Sequence, residues 1–181
     1  MLGHWETIDE KVAFENRWVQ VRLQTVLLPS GQEYEYTVVD RLEQGVAVFL
    51  FNADRRLLME REYRHAINQV VWQIPGGLID GDETPLQSAI RELREETGYV
   101  ATEWVKLGEF YDNPGLGNAR SILFMAQVSP SDTLMTEWDD AEAIEMEWVT
   151  LEWLREAIQR GEIVERVVLS GLGMLWARGW L

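Results

Sequence analysis

The stretch Gly77–Tyr99, GLIDGDETPLQSAIRELREETGY, constrains this chain more than any other segment, because it specifies a helix with both ends marked. Thr84, Pro85 and Gln87 read as N-cap, N1 and N3, a Thr-x-x-Gln capping box with proline at its favoured first position. Gly98 stands where a glycine ends a helix. Leu86, Ala89, Ile90 and Leu93 form an apolar stripe, so one face is predicted to be buried. The other face gathers Glu92, Glu95 and Glu96, brought together by helical spacing, with Arg91 just before them. The turn Pro75-Gly76-Gly77 leads in.

Carboxylates crowded on one face repel each other in water. The same spacing also describes an ordinary amphipathic helix with a solvated acidic face. The glycine turn, the arginine and the full spacing favour a divalent cation that neutralises the cluster. Hard oxygen ligands of this kind suit Mg²⁺ or Mn²⁺. Metal clamps of that sort bind and hydrolyse phosphate esters.

Composition narrows the partners. The 181 residues, 46% of them hydrophobic, suit one domain or one domain with an extension. With 31 acidic and 16 basic residues the net charge is −15, so there is no basic stripe to displace counterions and no nucleic-acid partner is expected. An anionic substrate has to be recruited locally, by metal and a few arginines. The absence of cysteine excludes a disulfide framework and a thiolate metal site, and fits a cytoplasmic location. The N-terminus, MLGHWETIDEKVAFEN, lacks the apolar region of a signal peptide. The longest apolar-leaning stretch, Val167 to Trp176, is too short for a membrane span, so no membrane partner is expected.

Strand-like segments fill the first half. Residues 17–28 and 33–41 flank the turn Pro29-Ser30-Gly31 and read as a hairpin or meander. Further strands are predicted over 46–51, 56–62, 70–74, 121–128 and 144–149, with helices over 150–160 and about 165–178. The class is mixed α/β.

The stretch Gly77–Tyr99 resembles the Nudix box: Gly, five residues, Glu, seven residues, Arg-Glu-apolar-x-Glu-Glu-x-Gly-apolar. Gly77, Glu83, Arg91, Glu92, Leu93, Glu95, Glu96 and Gly98 fill it, and Tyr99 takes a place where an aliphatic residue is more usual. The resemblance covers roughly residues 42–160. It implies the Nudix fold, a mixed β-sheet sandwiched between helices, preceded here by an N-terminal antiparallel β extension. Residues 1–41 would form that extension and 42–181 the hydrolase domain. In relatives that cleave ADP-ribose such extensions are exchanged between the subunits of a dimer, so a homodimer is expected.

The resemblance also implies a reaction, hydrolysis of a nucleoside diphosphate linked to another moiety, with Mg²⁺ or Mn²⁺. It assigns Glu92 and Glu96 as principal metal ligands, Glu95 as ligand or bridge, and the Gly76 carbonyl as an extra ligand. Arg91 would orient a box glutamate, and Glu83 is either a supporting acid or a helix-start residue. The acidic run Glu137–Glu142 precedes the strand IEMEWV, where ADP-ribose-cleaving relatives place a carboxylate near the metals. Asp140 and Glu142 are therefore candidates for the catalytic base, against the competing reading of a solvated acidic loop.

Two further segments resemble the ADP-ribose pyrophosphatase subgroup. Pro114 lies sixteen residues after Gly98 and is followed by Gly115, in the loop Asp112–Gly117. The run Glu60-Arg61-Glu62-Tyr63-Arg64 resembles a strand-end motif whose second arginine contacts the diphosphate, a role carried to Arg64, whose planar fork suits phosphate oxygens. Trp18, with Tyr36 and Phe14, is a candidate platform for the base. One departure bears on specificity, since Gln73 stands where that subgroup usually has glutamate. The implied substrate is a nucleoside diphosphate sugar with ADP-ribose favoured. GDP-mannose or a broader nucleotide-sugar range is the alternative, and a non-catalytic sensor module a more distant one.

Overall fold

Alternating side chains in the N-terminal segment build a three-stranded antiparallel meander in the computed structural model, which describes residues 3–41, 43–133 and 144–181. Its strands are β1 (Glu6–Glu15), β2 (Val19–Leu27) and β3 (Glu33–Arg41), in that spatial order. The β2–β3 pair follows the predicted hairpin, and Gly31, at φ +83°, takes the left-handed position in its turn. Strand β1 extends the expectation. It pairs from Glu6↔Leu27 to Glu15↔Gln20 with two register shifts, and all its residues are exposed.

The chain divides into two compact units. One comprises the described residues up to Gln44 together with Phe110–Arg120; the other comprises Gly45–Glu109 and the described residues from Ser121 onward. Within the first, the segment around Pro114 attaches to β3. The Val39 N–H donates to the Leu116 carbonyl at 2.8 Å, and Gly117 bridges Val39 so closely that a Cβ there would collide with the Val39 carbonyl.

The second unit is a mixed sheet with helices. Its elements are β4 (Gly45–Phe51), β5 (Leu57–Arg64), a 3₁₀ turn (His65–Ile67), β6 (Gln69–Gln73), β7 (Gly76–Leu78), α1 (Pro85–Thr97), β8 (Tyr99–Tyr111), β9 (Arg120–Thr133), β10 (Glu145–Val149), α2 (Leu151–Gln159) and α3 (Arg166–Ala177). The strand order is β10-β5-β4-β9-β8, with β6 added to β5 and β7 to β4. Strands β4 and β9 run parallel from Gly45↔Ser121 to Phe51↔Gln127.

Strand β4 is buried from Val46 to Phe51, the continuous apolar run of a strand covered on both faces. Val46, Val48 and Leu50 join Leu58, Ile122, Phe124 and Ala126 beneath Ala89 and Leu93 of α1. The intervening residues face the other way, where Gly171 of α3 lies against Phe49 and Leu123. The sheet therefore stands between helices, as the sequence predicts. Among the described residues no helix is long and apolar enough to cross a membrane.

Three local expectations change. Leu86 and Ile90 are 39% and 44% exposed, and the buried line of α1 is Ala89, Leu93 and Thr97 beside Ser88. These form one i, i+4 row rich in small side chains, which lets the helix approach the sheet closely. The glycine turn continues as strand β7, with Ala47↔Gly76 and Val46↔Gly77 in register. Strand β8 is additional to the predicted elements.

Candidate active site

The ends of α1 fix the phase of its acids. Thr84 Oγ1 accepts from the Gln87 N–H at 3.3 Å while the Thr84 N–H donates to Gln87 Oε1 at 2.8 Å, closing the capping box. Gly98, at φ +69°, donates its N–H to the Arg94 carbonyl.

Arg91 gathers the acids at this helix. Its Nη1 donates to Glu92 Oε1 at 2.9 Å and Glu95 Oε2 at 3.1 Å. Its Nε reaches both Glu83 oxygens at 3.2 Å, and Nη2 reaches Glu83 Oε2 and the Leu78 carbonyl at 3.1 Å. Glu83 also accepts from Ser88 Oγ at 2.7 Å. The hydrogen bonds from Arg91, then that from Ser88, hold the Glu83 carboxyl below its ordinary range. Glu83 thus anchors the guanidinium.

The remaining acids are drier. The Glu92 carboxylate rests over Gly77, where a Cβ would fall within 2.4 Å of its atoms. Burial pushes the Glu92 carboxyl upward against the pull of Arg91. Glu96 Oε2 accepts from the Gly76 N–H at 2.7 Å. Burial first, and the charge of Glu60 second, push Glu96 up to about 9. Glu60, in β5, is fully buried and is itself raised, to about 7, chiefly by burial.

Gln73 ties this group to Arg64. Its Oε1 accepts from Arg64 Nε at 3.1 Å and Nη2 at 2.6 Å. Its Nε2 donates to Glu62 Oε2 at 2.6 Å and, at 3.5 Å, to Glu60 Oε2. Arg64 Nη1 also pairs with Glu62 at 3.0 Å.

Among the described residues no three carboxylate or imidazole groups already form a cage for an ion. Arg91 holds oxygens of Glu92 and Glu95, and the Gly76 N–H holds one of Glu96. The donor set nevertheless fits a divalent cation. Gly77 leaves a cradle that a side chain would fill, and buried Glu60 Oε1 has no hydrogen-bond partner among the described residues. All the donors are hard oxygens.

The structure brings Gly76, Arg91, Glu92, Glu95 and Glu96 together on β7 and α1, with Arg64 joined through Gln73. Trp18, Pro114 and Gly115 belong to the N-terminal unit. Trp18 is half-exposed with the Arg17 guanidinium 4.4 Å from its ring centroid, and the Gly115 carbonyl accepts from Tyr36 Oη at 2.7 Å. Asp140 and Glu142 lie outside the described residues. The sequence reading missed the buried state of Glu60. The available signal was an acid sharing period-two phase with Leu58 in a strand that opens with three apolar residues.

Comparison with known proteins bears on the family and the fold. A family model for the NUDIX domain matches residues 41–169, and one for the nucleoside diphosphate sugar hydrolase N-terminal domain matches residues 5–39. The chain is 28% identical over 160 residues to the ADP-ribose pyrophosphatase of Bacillus subtilis, covering 88% of this chain and 86% of that one. It is also 28% identical over 169 residues to a CMP-5'-(N-acetyl-N-hydroxy-3-aminopropyl)phosphonate hydrolase of Streptomyces rubellomurinus, covering 93% and 80%. The crystal structure of an ADP compounds hydrolase superposes with a TM-score of 0.86 at 20% identity, covering 100% of this chain and 99% of that one.

Proposed function

The chain belongs to the NUDIX domain family, and on that premise we propose that it hydrolyses the pyrophosphate bond of a nucleoside diphosphate sugar, with ADP-ribose favoured, in a reaction dependent on Mg²⁺ or Mn²⁺. The products are a nucleoside monophosphate and a sugar phosphate. Glu92 and Glu96 would hold the ion, with Glu95 and the Gly76 carbonyl as further ligands. An ion held there would supply charge to offset the non-bridging phosphate oxygens and acidify the attacking water. Arg91, anchored by Glu83, positions Glu92 and Glu95. Arg64, held by Gln73, presents its guanidinium to the diphosphate. Pro114, Gly115 and Trp18 bound the substrate, and Asp140 or Glu142 serves as base. Residues 1–41 form an extension that pairs two copies into a homodimer, a reading supported by the fully exposed strand β1 and by the N-terminal family match.

The observation that carries this reading is the Arg91 network. One guanidinium ties Glu83, Glu92 and Glu95 together beside Gly76 and Gly77, with Glu96 on the Gly76 N–H. A module that only senses nucleotide sugars has no use for that complete set. Gln73 favours a second reading, a broader range of nucleotide-linked substrates, and so does the Streptomyces relative, whose name gives a CMP-linked phosphonate.

A turnover panel with Mg²⁺ or Mn²⁺ tests both. It comprises ADP-ribose, GDP-mannose, ADP-glucose, a dinucleotide polyphosphate and a nucleoside triphosphate, each repeated with chelator. Chelator-sensitive cleavage of ADP-ribose alone is the expected result. Comparable rates on several nucleotide sugars select the broader reading. No cleavage of any substrate by metal-bound protein overturns both.

A further inference from the structure

Strand β5 carries a charge into the core. Leu57 to Glu60 are all buried, and side chains alternate between faces along a strand, so Leu58, Glu60, Glu62 and Arg64 share one face. Leu58 packs with Ala89 and Leu93 of α1, which identifies that face as the one the acidic helix covers. Glu60 sits in a three-strand context, opposite Gln73 in β6 and Met146 in β10, and is 0% exposed.

Its polar needs are poorly met. Among the described residues the one hydrogen bond to its carboxylate is the long 3.5 Å contact from Gln73, whose shorter bond goes to Glu62. Oε1 has no hydrogen-bond partner among the described residues. The guanidinium of Arg64 bonds Gln73 and Glu62 and acts on Glu60 only at a distance. Burying a carboxylate without a matching cation is costly, and an apolar residue in that place would fill the strand without the cost. The groups that act on Glu60 electrostatically are the acids Glu62 and Glu96 and one base, Arg64. The chain from Gln73 to Gly76 connects Glu60 and Glu96, since Gln73 pairs with Glu60 and the Gly76 N–H binds Glu96. What the buried carboxylate of Glu60 lacks, among the described residues, is a matching cation.

We propose that Glu60 is a further carboxylate of the divalent-cation site in this chain, completing with Glu92 and Glu96 a site that joins strand β5 to helix α1. The inference rests on the metal-dependent reading above and extends its ligand set to an element outside the box. An ion held by these three carboxylates would tie the helix to the centre of the sheet.

Mn²⁺ titration and thermal melts, without substrate, test this on wild type, Glu96→Gln, Glu60→Gln and Glu60→Asp. Wild type is expected to bind Mn²⁺ and gain melting temperature, and Glu96→Gln to lose most of both. Glu60→Gln, which keeps shape and hydrogen-bonding capacity, is expected to bind Mn²⁺ roughly 10- to 100-fold more weakly. In chelator it is expected to melt no lower than wild type, because a buried charge has been removed. Wild-type Mn²⁺ affinity in folded Glu60→Gln overturns the proposal and leaves the box assignment standing. Absence of Mn²⁺ binding by wild type overturns the metal-dependent reading itself. If Glu60→Gln does not fold, Glu60→Asp decides. Weakened Mn²⁺ binding supports a ligand whose reach matters, and wild-type affinity overturns it.

Discussion

A Cβ placed on Gly77 would lie 2.3 Å from Cδ of Glu92 and 2.4 Å from each of its carboxylate oxygens, so a missing side chain on β7 determines where a helix acid rests. Gly77 is outside the left-handed region, so alanine can keep its backbone. The clash falls on the flexible end of Glu92. Gly77→Ala is expected to leave the chelator melting temperature within the range of an ordinary surface change, about 0.5 kcal/mol. Mn²⁺ affinity and kcat/KM should fall roughly 10- to 100-fold, as when a ligand loses its support. Wild-type turnover in a protein that still folds would mean that the position of Glu92 is unimportant.

Arg91 offers a second test, because its fork engages Glu83, Glu92, Glu95 and the Leu78 carbonyl together. A lysine ammonium keeps the charge but cannot span that arrangement. Arg91→Lys is expected to lose about tenfold in kcat/KM and Arg91→Ala about 100-fold or more. Glu83→Gln should follow Arg91→Lys, since it loosens the anchor and not the ligands. Equal activities for Arg91→Lys and wild type would reduce Arg91 to a bare positive charge.

Helix α1 was legible because its signals are local. The capping box, the C-terminal glycine and the acid spacing lie in adjacent residues and need no partner. Strand β8 was not, because it is an edge strand whose residues are mostly part-exposed, with Leu107 the fully buried one, so no two-residue alternation marks it. Gly76 and Gly77 read as a turn because the partners that make them a strand, Val46 and Ala47, lie about thirty residues earlier. Nothing within the charged run EREYR marks Glu60 as buried. Its burial depends on β6 and β10 flanking β5 and on α1 covering it, all of which are long-range facts.

The raised acids predict a pH dependence. Glu60 and Glu96 are shifted from an ordinary 4.5 up to about 7 and about 9, mainly by burial, and interact strongly enough to titrate as a pair. The folded protein then binds more protons than the unfolded chain above pH 4.5. Their contribution to stability is fully present below that pH and is lost as pH rises through about 7 and about 9. In chelator the melting temperature should therefore fall across this window. Binding of a cation expels the protons, so the Mn²⁺-induced gain should grow with pH. Glu96→Gln should flatten the chelator curve, and a wild-type curve already flat there would contradict the burial of these acids.

Two glycines of α3 separate packing from helix propensity. A Cβ on Gly171 would lie 2.1 Å and 2.3 Å from ring atoms of Phe49 and 3.1 Å from Leu123 Cδ1, whereas one on Gly173 would meet nothing within 4 Å. Both sit inside Arg166–Ala177, so alanine gains about 1 kcal/mol of helix propensity at either position. At Gly173 nothing opposes that gain, and Gly173→Ala is expected to raise the melting temperature by about 2–4 °C. At Gly171 the ring of fully buried Phe49 has nowhere to go, and overpacking of this kind costs about 1–3 kcal/mol or more. With contacts this short the upper part of that range applies and outweighs the propensity. Gly171→Ala is therefore expected to lower the melting temperature, opposite in sign to its neighbour two residues on. Thermal melts of the two single variants in chelator read the difference directly. Equal stabilisation by both would mean that α3 does not press on Phe49 and Leu123.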